Sequence, residues 1–295
     1  MARVTVLINR GGGAAASDPR IGDKVAEALH KAGIDADIEL ISGRECQVRC
    51  RAIADRGDDL LIVGGGDGTI SAAASVVAGR EMLLGILPLG TLNHFARDLG
   101  VPTDLDQAAA LIASRSERRV DLAQMNDRIF INNSAIGLYP LMVLDRDVQQ
   151  ARLGRSKRLA MIVAAVRTLA RFRHHRLTLT INSQEATIDT PLLFVGNNRY
   201  RLDIGAPGER ESIDAGCLSV YVMRKNSRRG FIAASVRALF NRRKPGEMLE
   251  LEQVETLRVA SSRSALAVSL DGEVVRSAPP LEYKVRKKAL RVIAP

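Results

Sequence analysis

Two glycine-bearing loops and one acidic turn carry the residue types in this chain that could do chemistry. The first loop reads Gly64-Gly65-Gly66-Asp67-Gly68-Thr69, and the second Pro88-Leu89-Gly90-Thr91. Each follows an apolar run too short for a helix and leads into a stretch with helical character. Helix N-termini present unpaired N–H groups and the positive end of a dipole, and glycines let that backbone approach an oxyanion closely. The chemistry suggested is nucleotide phosphate binding. The first loop is not a Walker A loop, because no Lys-Ser/Thr pair follows its glycines. Nor is it the dinucleotide fingerprint, because Thr69 stands where the last glycine is needed. Asp67 would repel bare phosphate, so it works through a divalent cation, through ordered water or through hydrogen bonds to loop N–H groups. A tight strand-to-helix connection without a ligand is the plain alternative for one such turn, and the doubled arrangement argues against it.

The acidic turn is Asp271-Gly272-Glu273, between the apolar run 265–270 and Val274-Val275. By residue type alone, Asp-Gly between two strands reads as a two-residue hairpin turn. Its neighbours decide whether it is more than that.

The elements that must position these loops follow from periodicity. Residues 3–8 predict a first strand ending at Asn9 and the loop 10–13; 18–32 predicts a helix stopped by Gly33, and 37–41 and 45–55 a second strand and helix. The run 60–63, the helix 70–78, the run 82–87 and a second-loop helix capped by Thr91 and ended by Gly100 and Pro102 complete the alternation. Strand and helix alternating in this way predict an α/β domain, doubly wound around a mostly parallel sheet, with ligands at the C-terminal strand ends. A connecting helix at 103–115 leads to Arg119-Val120-Asp121-Leu122, where the pattern changes. Short alternating runs at 128–132, 177–181, 192–195, 218–223, 256–260 and 265–270 predict a mainly β-sandwich second domain. The boundary is set near Asp121, giving domains 1–121 and 122–280.

GGGDGT at 64–69, followed by PLGTLNHFARDLG at 88–100, resembles the catalytic domain of the bacterial diacylglycerol kinase and sphingosine kinase-like lipid kinases. The first motif also occurs in NAD kinases and some phosphofructokinases; the second narrows the resemblance. Further markers are Asn9, Asp121, 132–137, 196–200, 214–216 and 269–273, so the resemblance spans nearly the whole chain. It implies ATP and Mg²⁺ as cofactors, with Asn9, Ser42, Gly64, Gly65, Gly66, Asp67, Gly68, Thr69 and Thr91 as the nucleotide-binding set. Asp271 would be the general base for a lipid hydroxyl, with Glu273 assisting. Asp67, Asp121 and Asp214 would be the metal-associated carboxylates, and the segment 281–295 would return to the first domain. In the family the second loop offers an aspartate where this chain has His94, and the loop after the first strand differs at Arg10, Gly11 and Gly12. Ala215 replaces an expected ligand of a structural metal, and Asp214 sits one place early. Lys157 resembles a basic residue that reaches phosphate, although a solvated lysine is the ordinary reading. Asn132-Asn133 and Asn197-Asn198 are taken as backbone-satisfying turn residues.

At 295 residues and 46% apolar content the chain can bury two cores, which excludes a disordered polypeptide. The start MARVTVLINR enters a strand pattern with no secretion signal, and the longest apolar helical run, 159–170, falls short of the ~20 residues a bilayer span needs. Three cysteines without a metal-binding spacing fit a reducing cytoplasm. The net charge of +10 is uneven: residues 1–100 hold 11 Lys/Arg and 13 Asp/Glu, so the basic excess lies beyond them. It concentrates in 152–176 and 224–244, each with eight Lys/Arg, no acid and an apolar centre. Such segments suit an anionic membrane surface as well as the solvated face of a packed helix. With 3% aromatic residues and no Trp, nucleic acid is not expected as a partner. The expectation is a cytoplasmic, peripherally membrane-associated lipid kinase. Its rivals are an NAD kinase-like enzyme and a non-catalytic anionic-lipid or nucleotide-binding protein.

Overall fold

The computed structural model describes residues 4–137, 174–201, 209–223 and 248–295. Of the two cationic stretches, 152–173 and all of 224–244 lie outside these residues, as does Lys157. The described chain forms two units, one comprising 1–122, 212–214 and 286–295 and the other 123–211 and 215–285. No helix among the described residues is long and apolar enough to cross a membrane.

Unit 1 begins with β1 (Val4–Asn9), a single turn α1 (Ala14–Ser17), α2 (Ile21–Lys31) and β2 (Ala36–Ile41). There follow α3 (Gly43–Asp55), β3 (Leu60–Gly65), α4 (Asp67–Val77), β4 (Leu83–Pro88), α5 (His94–Asp98), α6 (Leu105–Ser114) and β5 (Glu117–Met125), the last of which runs on into unit 2. The four strands β2, β1, β3 and β4 pair in parallel in that order. All six residues of β3 and of β4 are buried, which is why these runs are continuously apolar instead of alternating. Ile21, Val25, Ala28 and Leu29 recur on one face of α2 and pack with Val6, Ile8, Ile62 and the buried side of α6. Each such Val, Leu or Ile stabilises the unit by about 1.5–3 kcal/mol over leaving it exposed. Gly33 ends α2 in the left-handed region at φ +81°, with its N–H on the carbonyl of His30.

On α3, Cys46 and Cys50 are fully buried with their sulfurs 3.9 Å apart. Cys46's claim on the shared hydrogen bond, together with burial, pushes the Cys50 thiol up. Cys217 is buried as well. A thiol-specific chromogenic reagent should therefore titrate none of the three thiols in the folded protein and all three in denaturant. Rapid reaction of the native protein would mean that α3 opens readily.

Unit 2 takes over from the end of β5 with β6 (Arg128–Phe130), β7 (Asn133–Gly137), β8 (His175–Ile181), β9 (Gln184–Thr190), β10 (Leu192–Asn197) and the short pair β11 (Tyr200–Arg201) and β12 (Glu209–Arg210). Then come β13 (Leu218–Met223), β14 (Met248–Val254), β15 (Thr256–Ala260), β16 (Leu266–Leu270), β17 (Glu273–Ser277) and the long β18 (Leu281–Ile293). One antiparallel sheet has the order β14-β13-β10-β7-β16-β17. A second antiparallel layer joins β9, β8, β15 and the first residues of β18. Ile136, Leu193, Val195, Val220 and Val268 of the first layer share a core with Leu177, Leu179, Val259, Leu281 and Tyr283 of the second, which makes the unit a sandwich. Burial pushes the Tyr283 phenol up, and its oxygen lies 3.0 Å from Ser134 Oγ.

The end of β18 belongs to unit 1, where Val292 pairs in parallel with Leu84 of β4 and Ala294 N–H donates to the Ser116 carbonyl.

Candidate active site

Three loops meet at the C-terminal ends of β1, β3 and β4, and they meet through backbone. A Cβ on Gly13 would lie 2.1 Å from the Leu89 carbonyl oxygen, and one on Gly90 would lie 2.3 Å from the Gly66 Cα. Gly13 also sits at φ +59°, so glycine is required there twice over. A Cβ on Gly65 would meet Thr69 Oγ1 at 2.6 Å. Asn9 ties the loop after β1 to the loop after β3: its Nδ2 donates to Thr69 Oγ1 at 2.8 Å, and its Oδ1 accepts from Gly11 N–H at 2.9 Å.

α4 begins at Asp67, three residues earlier than the apolar pattern indicated, so the Asp-Gly-Thr of the loop forms its first turn. Gly66 is the N-cap, and the Thr69 and Ile70 N–H groups return to the Gly66 carbonyl. The first turn and the positive end of the dipole of an 11-residue helix therefore lie at this loop.

The expectation that Thr91 caps the second helix is corrected. α5 starts at His94 with Asn93 as N-cap, at φ +49°, and Thr91 is exposed. The capping carboxylate comes from Asp67, whose Oδ2 accepts from His94 N–H at 3.1 Å and Oδ1 from Phe95 N–H at 2.9 Å. Asp67 thus makes the hydrogen bonds to loop N–H groups that were one of its three readings. Asn93 closes the loop itself: its Oδ1 accepts from Gly90 N–H at 2.9 Å, and its Nδ2 donates to the carbonyls of Pro88 and Gly90, each at 3.0 Å. His94 thus enters through its backbone, with its side chain exposed.

Ser42 is the N-cap of α3, and its hydroxyl and N–H both donate to Glu45 Oε2, at 2.7 and 2.8 Å. The Ser42 hydroxyl holds Glu45 below the usual carboxylate range, with the Ser42 N–H bond adding to it. This reciprocal cap gives the hydroxyl a local acceptor.

Of the carboxylates expected at metals, Asp121 and Asp214 each have protein partners. Asp121 is 1% exposed and accepts from Lys288 N–H at 2.7 Å, while its own N–H donates to the Ile213 carbonyl. Asp214 is taken up by Ser212 Oγ at 2.6 Å and Arg118 Nη2 at 3.0 Å. Among the described residues no three His, Cys, Asp or Glu side chains group as metal ligands. A hydroxyl and a guanidinium hold the Asp214 carboxylate, a set of neighbours that does not fit a structural cation. The Ser212 hydroxyl, followed by Arg118, lowers the Asp214 carboxyl below its ordinary value. A carboxyl lowered on folding contributes stability that is present above its unfolded value and lost as pH falls through the folded one. Arg118→Ala should accordingly lower stability to urea near neutral pH, and change it little at an acidic pH low enough to protonate Asp214 in the folded protein as well. An equal loss at both values would assign the Arg118 effect to packing.

In unit 2, Asp271 and Gly272 form the β16–β17 turn at φ +47° and +87°, the left-handed pair that a two-residue hairpin requires. The carboxylate does far more than a turn asks. Its Oδ2 accepts from Ile131 N–H at 2.8 Å, and its Oδ1 from Asn132 and Asn133 N–H at 2.8 and 3.1 Å. The 131–133 segment is gripped from its carbonyl side too. Asn197 Nδ2 and Arg210 Nη1 each donate to the Ile131 carbonyl at 3.0 Å, and Tyr200 OH donates to that of Asn132 at 2.8 Å. Arg210 Nη2 reaches Asn132 Oδ1 at 2.5 Å, and its guanidinium lies 5.4 Å from the Tyr200 ring centroid. Charge-assisted bonds of this kind fix an orientation. Glu273 is exposed at the start of β17. Arg210 and the buttressing role of Tyr200 were not anticipated; only the Asn-Arg-Tyr cluster at 197–200 hinted at them.

Comparison with known proteins gives a consistent outcome. Residues 3–125 match the model of the diacylglycerol kinase catalytic domain, and 142–294 that of the YegS C-terminal NAD kinase beta sandwich-like domain. A protein named diacylglycerol kinase from Mycobacterium tuberculosis is 28% identical, over 99% of this chain and 95% of its own. A "Probable lipid kinase YegS-like" from Stenotrophomonas maltophilia is 30% identical, over 76% of this chain and 75% of its own. A crystal structure of a diacylglycerol kinase from Bacillus anthracis str. Sterne covers 99% of this chain and 97% of that one, with a TM-score of 0.72 at 24% identity.

Proposed function

We propose, from the premise that this chain belongs to the diacylglycerol kinase-like family of lipid kinases, that it transfers the γ-phosphate of ATP to the hydroxyl of a membrane lipid. The observation that carries this is the backbone interlock of Gly13, Gly66 and Gly90 around the first turn of α4. It makes a cradle of N–H groups that fits a polyphosphate. Asn9, Asp67 and Asn93 hold the cradle's shape from behind, and Thr69 carries the hydroxyl that Asn9 engages.

The acceptor end is carried by unit 2. The lipid hydroxyl oxygen attacks the γ-phosphorus, the bond to the β–γ bridging oxygen breaks, ADP departs, and the hydroxyl proton passes to Asp271. Glu273, on the same turn, assists in orienting the acceptor. A loose phosphoryl transfer asks for positioning more than for a strong base, and the three N–H bonds on Asp271 supply positioning. A divalent cation accompanying the nucleotide neutralises phosphate charge. The lipid is met at an anionic membrane surface, with the cationic stretches 152–176 and 224–244 as the contacts.

The test is incubation of the purified protein with labelled ATP, Mg²⁺ and a membrane lipid extract, followed by phase separation. Label in the organic phase is expected. Label on added NAD instead would move the reading to an NAD kinase-like enzyme. No transfer by a preparation that binds ATP would leave the non-catalytic binding protein.

A further inference from the structure

At the end of β16 and β17 away from the Asp271 turn, unit 2 carries a hollow of about 230 Å³. Among the described residues, Gly137, Ala265 and Ala267 form its small-residue walls, and His175, Arg263 and Arg276 supply its polar groups. Ala267 and Arg276 are directly paired across the two strands. Ala267 is four residues from Asp271, which at ~3.4 Å per strand residue sets the hollow about 14 Å from the proposed base.

Among the described residues the lining has cationic groups and no carboxylate. Neither Arg263 nor Arg276 forms an ion pair with a described residue, and Arg263 reaches only the His174 carbonyl, at 3.4 Å. Both guanidiniums are exposed and line one hollow with a buried imidazole, and an anion seated there would offset their like charge. Gly137 on its wall is held to glycine by backbone, since it lies at φ +104° and a Cβ there would be 2.1 Å from the Pro191 carbonyl oxygen. At about 30 Å³ per water the volume equals about seven or eight waters, enough for a phosphate and its first substituent.

We propose that this hollow binds a phosphate group, which the guanidinium forks of Arg263 and Arg276 take by paired N–H bonds. The site is separate from phosphoryl transfer and does not rest on it. The phosphate belongs either to a phospholipid headgroup or to a soluble ester, and the experiment has an arm for each.

The full-length protein, its nucleotide loops saturated with a non-hydrolysable ATP analogue, is titrated with inorganic phosphate by calorimetry. In parallel it is mixed with phosphatidylcholine vesicles made with or without phosphatidylglycerol. The variants are Arg263→Ala/Arg276→Ala and Arg263→Lys/Arg276→Lys. Binding to at least one probe should weaken about tenfold or more in the alanine pair and recover partly in the lysine pair, at unchanged melting temperature. Loss confined to phosphate assigns a soluble ligand, and loss confined to the anionic vesicles assigns a headgroup. An alanine pair that binds both probes as wild type does, or a wild type that binds neither, overturns the site whether or not the protein is a kinase.

Discussion

Gly90→Ala should abolish tight nucleotide binding while leaving a folded protein. The added methyl would lie 2.3 Å from Gly66 Cα, 2.5 Å from Asn93 Oδ1 and 3.0 Å from Gly66 N, contacts that only backbone movement relieves. Overpacking of this kind costs about 1–3 kcal/mol, and here it falls on two loops whose closeness is the binding surface. The affinity for ATP, measured by calorimetry, should drop about tenfold or more, since 1.4 kcal/mol is a factor of ten. Gly12→Ala is the control. A Cβ there meets nothing within 4 Å, so stability and affinity should stay within about 0.5 kcal/mol of wild type. Equal ATP binding by Gly90→Ala would mean that the interlock is scaffolding and the phosphates bind elsewhere.

Asp271→Asn should cut phosphoryl transfer about 10²- to 10⁴-fold, the range for loss of a positioned proton acceptor. It also turns an amide N–H₂ toward one of three backbone N–H donors, which costs about 1–3 kcal/mol of stability. Transfer and unfolding are therefore measured together, with ATP affinity as the check that unit 1 is intact. A rate loss of less than tenfold alongside the stability loss would reduce Asp271 to a clamp on the 131–133 segment. The reaction would then need another acceptor for the proton.

The legible parts of this molecule are those in which a residue acts on its sequence neighbours. The apolar runs of β3 and β4 and the glycines after them announced strand, loop and helix, because full burial and close backbone approach both leave a mark in composition. Ser42 and Glu45 stand at capping-box spacing, and the Ser42 hydroxyl donates to that glutamate. The illegible parts are contacts between distant residues. The cap of α5 is Asp67, 27 residues upstream, and no pattern around Thr91 reveals that a partner from another loop takes its place. β9 went unnoticed because it lies at the end of its layer, with five of seven residues exposed, so no alternation of apolar positions marks it. Arg210 acts on carbonyls 78 and 79 residues earlier, and an arginine near a glutamate reads like any surface residue.

The closure of the parallel sheet of unit 1 by β18 also has a consequence for biosynthesis. A nascent chain emerging from the ribosome supplies β1 to β4 first, but the strand beside Leu84 and the bond to Ser116 wait for residues 292 and 294. Asp121, buried early in β5, likewise waits for Lys288 to satisfy its carboxylate. The nucleotide unit therefore finishes folding only after the sandwich has been synthesised, and a fragment ending at residue 122 is an incomplete domain. A truncation that loses 286–295 should expose the open edge of β4 and aggregate, even though every residue of the phosphate cradle is still present.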